Sequence, residues 1–381
     1  MIVVENALEA YHRHFSAQAA VAAIAPGRVE IMGNHTDYNG GFVLPAALDR
    51  GSVVAGGRAD DEIVLYAANL HRAARFSASQ LQKNEDEPWA NYVIGVVDQL
   101  QKAGVPIGGF HASIYSDVPS GAGLSSSAAL EVSTALFLQQ LYPFDLDKMA
   151  IARLCQKAEN EYVGVNCGIL DQFSSIFGQQ ESLLFLDCLT LEHDTIQLGW
   201  PDVAIVICDS AVSHALTGGD YNTRHAECMA AAAFFGKKLL REVTWEEFIE
   251  REDKLPVNQR MRARHVLAEN QRVLAMRTAA QAADAAEVGR LLAEGHASCR
   301  DLFENSTAEL DFLVDTAVKI EGCIGAKLTG GGWGGCTVNL VHANAVESFS
   351  QELTSHYAER FGLTAFVYPC RAAAGAHAVE I

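Results

Sequence analysis

From Ala25 to Met32 (APGRVEIM) apolar and polar residues alternate, which predicts a strand. Phe42–Leu48 and Ser52–Gly57 carry further strand patterns. In PWANYVIGVVDQLQKAG (88–104) the period changes. Tyr92, Val96, Val97 and Leu100 share one helical face, and Gly104 ends it. FHASIYSDVP (110–119) alternates again. LSSSAALEVSTALFLQQL (124–141) predicts a helix with serines in its first turn, and Asp147–Glu161 predicts another. VAIVICDS (203–210) is the unbroken apolar run of a buried strand. A helical section follows from about Tyr221 to Ala297, interrupted near Pro256. A helix at Thr307–Lys319, a strand–glycine–strand block (GAKLTGGGWGGCTVNLV), and a last helix and strand within Val346–Tyr368 complete the pattern. Mixed strands and helices predict α/β or α+β layers. A boundary near residues 195–203 divides the chain into 1–200 and 201–381.

The 381 residues suffice for a large core without staples. A net charge of -19 argues against nucleic acid or an anionic membrane as the main partner, because both need a basic footprint. A small anionic ligand stays possible, since a few local donors override a distant field. The nine cysteines include no C-x-x-C pair and read as reduced, mostly buried thiols. The N-terminal MIVVENALEAYHRHF has early acids and no basic flank before an apolar core, and AAVAAIA (19–25) is too short to span a bilayer. A cytoplasmic, monomeric protein is expected, in which the sequons at Asn34 and Asn305 are idle.

Three glycine-rich elements carry the chemistry. GNHTDYNGG (33–41) crowds Asn34, His35, Thr36, Asp37, Tyr38 and Asn39 onto one loop beside an apolar run. A surface turn needs one or two such residues. Six suggest a site that reads several hydroxyls, with Arg28 available to a carboxylate or phosphate. PSGAGLSSSAAL (119–130) joins a strand to a helix, so its amides and the helix dipole favour an anion. The plain alternative is a serine-capped helix after a glycine turn. It is not a Walker A loop, because no G-x-x-x-x-G-K-[ST] occurs. TGGGWGGC (329–336) matches G-x-G-x-x-G formally, but a strand follows where a dinucleotide fold needs a helix. It reads as a glycine turn approaching a ligand or a neighbouring loop, or as a tight hairpin alone. Glu159 and Asp171, within AENEYVGVNCGILDQF, complete a kit for phosphoryl transfer: one acid for Mg²⁺, one for the attacking hydroxyl.

GRVEIMGNHTDYNGGFVLP, PSGAGLSSSAALEV, NCGILDQF, SHALTGGDYNTRHAEC and KLTGGGWGGCTV together resemble, in order and approximate spacing, the galactokinases of the GHMP kinase superfamily. The resemblance runs over nearly the whole chain. It implies an N-terminal ribosomal-S5-like lobe, a C-terminal ferredoxin-like lobe and an active site in the cleft between them. It implies transfer from ATP to the C1 hydroxyl of a sugar, most simply D-galactose. Asp171 and Arg28 would be catalytic. Sugar contacts would fall on Asn34, His35, Asp37, Gly168 and Tyr221. The nucleotide would meet Trp89, Gly121, Gly123, Leu124, Ser125, Ser126, Ser127 and Gly332. Mg²⁺ would bind Glu159 with Ser127 or Ser126.

One position departs from the pattern. The family usually reads GEHTDYNGG, and this chain has Asn34 where a glutamate contacts the sugar's C6 hydroxyl. Asn is shorter and neutral, and a neutral hydrogen bond is about half as strong as a charge-assisted one. Position 34 therefore leaves galacturonate, N-acetylgalactosamine or L-arabinose as alternative sugars. A non-catalytic sugar and nucleotide sensor is a further alternative, opposed by the intact catalytic set. A nicotinamide oxidoreductase would have only the glycine run in its favour.

Overall fold

The protein is described by a computed structural model covering residues 2–142, 144–197, 202–213 and 219–381. The alternation at Ala25–Met32 starts earlier than expected, and β1 spans Val21–Met32. The next two strand patterns form one strand, β2, Phe42–Arg58. β2 bulges opposite Pro26–Arg28, and Gly51 lets the strands close there: a Cβ on Gly51 would lie 2.9 Å from the Ala25 carbonyl oxygen. β3 (Glu62–Ala67) and β4 (Arg72–Ser77) make a hairpin, and β5 (Phe110–Ser116) runs parallel to β3 and antiparallel to β2. β6 (Ser182–Asp187) joins β2, and β7 (His193–Gln197) joins β6.

Four helices cover this sheet: Ala90–Lys102, Ser126–Leu141, Lys148–Lys157 and Leu170–Phe177. They bury Val93, Val97, Val132, Phe137 and Phe173 against Val54, Leu65 and Phe110. Ser126–Leu141 is buried on nearly every side, which suits its apolar, small-residue surface. Asp147 caps the next helix by accepting from Ala150 N at 2.7 Å. That helix does not reach Glu161 as a regular element: Ala158–Val163 widens into a π turn, which holds Glu159.

The second sheet is antiparallel, built from β8 (Val203–Ser213), β9 (Cys323–Leu328), β10 (Gly334–His342) and β11 (Phe366–Cys370) in the order β11-β8-β10-β9. Helices Ala308–Ala317 and Val346–Phe361 pack Leu313, Phe349, Leu353 and Tyr357 on one face. The strand and helix sequence is the ferredoxin-like βαββαβ. Between β8 and β9 runs the expected helical section, with Pro256 at the start of Val257–Gln281. That helix and Ala285–Ser298 supply Val273, Met276, Leu291 and Leu292 to a core shared with β1, β2, β8 and β10. Finally β12 (His377–Val379) returns to pair with β1, so the first sheet ends on residues far along the chain.

The helix Ile2–Phe15 and the β3–β4 and β6–β7 hairpins had no counterpart in the sequence reading. Ile2–Phe15 buries only Ala7 and Tyr11, and β4 exposes Arg72 and Arg75, so both carry a thin apolar signal. The lobe boundary near 195–203 falls partly on residues outside those described, as do His214–Gly218 of the SHALTGGD stretch. Among the described residues no helix is long and apolar enough to cross a membrane.

Phe173 is fully buried and stacks on Phe177 at 4.6 Å between ring centres. Phe173→Ala is expected to lower the unfolding free energy by about 3–5 kcal/mol in a urea titration. A loss below about 1 kcal/mol would show that the site collapses around the missing ring.

Candidate active site

Arg28, on β1 opposite the β2 bulge, lines a cleft of about 770 Å³ between the two sheets. Its guanidinium meets Asp171, in the first turn of Leu170–Phe177, through Nε at 2.8 Å and Nη2 at 2.7 Å, both on Oδ1. Its Nη1 donates to the carbonyl oxygen of Gly123 at 2.6 Å. Burial opposes the Arg28 charge, but Asp171 and Glu30 outweigh it and hold the proton more tightly than usual. One side chain thus ties the strand, the acid and the glycine–serine loop together.

That loop is left-handed at Gly121 (φ 74°), Gly123 (φ 74°) and Ser125 (φ 57°), which turns it into the helix starting at Ser126. Leu124 accepts from Arg28 N at 3.1 Å through its carbonyl oxygen. Gly121, Gly123, Leu124, Ser125, Ser126 and Ser127 all line the cleft. Among the described residues the buried Ser125 hydroxyl has no hydrogen-bond partner, which fits a ligand oxygen at that point. Trp89 lines the same end, packed on the main core and anchored by Nε1 donating to Glu87 at 2.6 Å.

Glu159 faces the loop from its π turn. Gln172 donates to it at 2.8 Å and to the adjacent Glu131 at 3.0 Å, and Ser127 faces the same carboxylate. Burial, reinforced by Asp171, pushes Glu159 up to about 7. Glu131, fully buried beside it, is pushed well above the carboxylate range by burial and then by Glu159.

The polar loop supplies the other end of the cleft. His35 sits at φ 61°, in a ring of aromatics: Phe303 stacks at 4.3 Å, and Tyr221 lies at 5.4 Å. Its Nε2 donates to Gly331 O at 2.9 Å, which leaves Nδ1 to accept from Tyr38 at 3.0 Å. Burial lowers His35 to about 3, so it is neutral. Burial and then Asp171 push Asp37 up to about 6. Gly168 lies behind Asp37, and a Cβ there would collide with the Asp37 carboxylate. The glycine hairpin abuts the serine loop, where a Cβ on Gly330 would lie 2.7 Å from Gly123 O.

Arg28, His35, Asp37, Asp171, Glu159, Tyr221, Trp89 and the serine loop therefore share one cleft. Three expected contacts do not line it. Asn34 is wholly buried and turned away: it donates to Gly330 O at 2.8 Å and accepts from Lys327, a buried cation that needs an acceptor. Gly332 faces Asn305 instead of the cleft. Gly168 sits behind Asp37 and makes room for its carboxylate. Sequence reasoning missed Glu30, Tyr92, Asn222, Gln172 and Glu131. Glu30 had a signal: it lies two residues from Arg28 on a strand, hence on the same face.

Comparison with known proteins agrees with this geometry. The family description "GHMP kinases N terminal domain" matches residues 91–179, and "GHMP kinases C terminal" matches 276–359. The fold and its cleft are those of a GHMP kinase. "Galactokinase galactose-binding signature" matches residues 9–58. The chain is 43% identical to a galactokinase of Roseiflexus sp., over 96% of this chain and 95% of that one. It is 41% identical to a Haemophilus influenzae galactokinase over 100% of both chains. The crystal structure of Lactococcus lactis galactokinase complexed with galactose superposes with a TM-score of 0.94 at 34% identity, covering 99% of this chain and 100% of that one. The chain belongs to the galactokinase family. A mevalonate kinase structure at 20% identity and TM-score 0.64, covering 92% of this chain and 98% of that one, shares the fold alone.

The Glu159 carboxyl has a folded value above its unfolded one. Its protonated form stabilises the fold, fully so below about pH 4.5, and the contribution is lost as pH rises through about 7. Glu159→Gln is expected to flatten the decline in melting temperature between about pH 5 and pH 8 without nucleotide. Parallel declines in both proteins would contradict a buried, charge-averse Glu159.

Proposed function

We propose that the protein transfers the γ-phosphoryl group of ATP to the C1 hydroxyl of D-galactose, giving galactose 1-phosphate and ADP. The observation that carries this reading is the Arg28 bridge, which joins Asp171 to the serine loop through Gly123 O. It gives a sugar oxygen and a nucleotide tail a common meeting point. Asp37 and Tyr221 supply hydrogen-bonding groups around the sugar, His35 offers its ring as a wall beside them, and the Ser125–Ser127 turn supplies donors for the phosphates. Trp89 offers a flat apolar surface for the base.

In this mechanism the C1 oxygen attacks the γ-phosphorus as the bond to the β-bridging oxygen breaks. The hydroxyl proton passes to Asp171, whose Oδ1 is held by Arg28 so that Oδ2 is free to accept it. Catalysis is mainly positioning and charge stabilisation, since the transition state spreads its charge over phosphoryl oxygens. Glu159 and Ser127 are hard oxygen donors suited to Mg²⁺, which favours few protein ligands plus phosphates. Mg²⁺ when bound would neutralise phosphate charge. We assign the sugar and nucleotide sites to a cleft between lobes 1–200 and 201–381, with β12 crossing back to the first. Nine free thiols fit a reducing cytoplasmic setting, and we take the monomer as the working unit.

Asp171→Asn is expected to lower kcat about 10²- to 10⁴-fold in a protein that still folds, with a melting temperature below the wild type's because Arg28 loses its counter-charge. Near-normal turnover would remove Asp171 from proton transfer. A panel of free sugars with ATP and Mg²⁺, with the product's phosphate position assigned by NMR, tests the substrate. Galactose is expected to be the best acceptor, phosphorylated at C1. Preference for galacturonate, N-acetylgalactosamine or L-arabinose would overturn it.

A further inference from the structure

Among the described residues, Glu30 keeps one carboxyl oxygen without a partner. It lines the cleft, is only 2% exposed, and its Oε1 is buried with no hydrogen-bond donor. Its backbone is fixed, because Glu30 N and O both bond the Thr329 hydroxyl, at 3.0 and 3.1 Å. The main chain at Glu30 is therefore held in place while a carboxyl oxygen of its side chain is unsatisfied. The neighbouring cations do not satisfy it. Arg28 commits its N–H groups to Asp171 and Gly123 O, and Lys327 bonds Asn34. A buried polar atom of this kind is costly unless a ligand completes it.

Arg28 and Glu30 lie two residues apart on β1, so they face the cleft together, about 7 Å apart along the strand. Arg28 marks the position of the reacting oxygen. Glu30 accordingly faces the far side of a sugar ring, where C4 lies across from C1 and C6 hangs beside it. Asn34, where an acid was expected, is withdrawn toward Lys327 and Gly330.

We propose that Glu30 is a specificity-determining residue that hydrogen-bonds a sugar hydroxyl remote from C1, on C4 or C6, and thereby restores the acid that position 34 lacks. This rests on the sugar-kinase reading above. Either protonation state can serve: a carboxylate accepts from the hydroxyl, and a carboxylic acid donates to it. Burial pushes Glu30 up to about 8, against the pull of Lys327 and Arg28, so both forms are within reach near neutrality.

The test compares wild type, Glu30→Gln and Glu30→Ala on galactose and its 2-, 4- and 6-deoxy analogues, with sugar affinity also read by calorimetry. Glu30→Ala is expected to lose about 10- to 100-fold in kcat/KM on galactose, mainly through KM. Glu30→Gln, of nearly the same shape, is expected to lose less and keep the wild-type melting curve. The loss should shrink to within about twofold on either the 4-deoxy or the 6-deoxy sugar and persist on 2-deoxygalactose. Equal losses on every sugar, or none in either variant, would overturn the assignment. If Glu30→Ala fails to fold, the same sugar dependence in Glu30→Gln decides the question. A wild type that turns over none of these sugars would instead refute the sugar-kinase reading itself.

Discussion

Arg28 is charged and nearly buried, and such a group persists only when its donors meet acceptors at fixed positions. Here the acceptors come from two separate places in the chain, the Asp171 carboxylate and the Gly123 carbonyl, and the charge of Glu30 on the same strand adds its field. Folding must bring β1, the serine loop and the Leu170–Phe177 helix into register before the guanidinium is satisfied. The same constraint that keeps Arg28 in the core therefore sets the geometry of the cleft. Glycine makes it possible at close range, since Gly330 can approach Gly123 only without a Cβ.

The cleft gathers many acids in a chain already at -19, yet its assigned substrate carries a polyphosphate. Burial resolves part of this conflict. Glu30, Asp37 and Glu159 are pushed up to about 8, 6 and 7, so near neutrality they carry less than full charge. Burial, and then Glu159, push Glu131 well above the carboxylate range, in the same direction. On the proposed assignment, loop amides and Arg28 would meet the phosphates with less opposition than the composition suggests.

Much of this was legible in the sequence, because glycine-rich loops and buried strands leave strong local patterns. The serine loop, the polar loop, Asp171 and the antiparallel glycine hairpin were all identifiable from residue type and order. What escaped was set by tertiary contacts. The Ile2–Phe15 helix and β4 expose most of their side chains, so their periodicity is weak. The polar loop and the family's glutamate at this position put Asn34 among the expected sugar contacts, but its side chain is held by Lys327, nearly three hundred residues away. Glu30 looked like the polar position of an alternating strand, and only the neighbouring sheet makes that face a cavity wall.

β12 pairs His377, Ala378 and Val379 with Ile24, Ala23 and Ala22 at the edge of the first sheet. On the ribosome, β1 emerges early and must wait for nearly all the remaining chain before that edge is covered. Until then an unpaired strand is open to pairing with another chain. That edge stays open to such pairing until its short second partner, more than three hundred residues downstream, closes it.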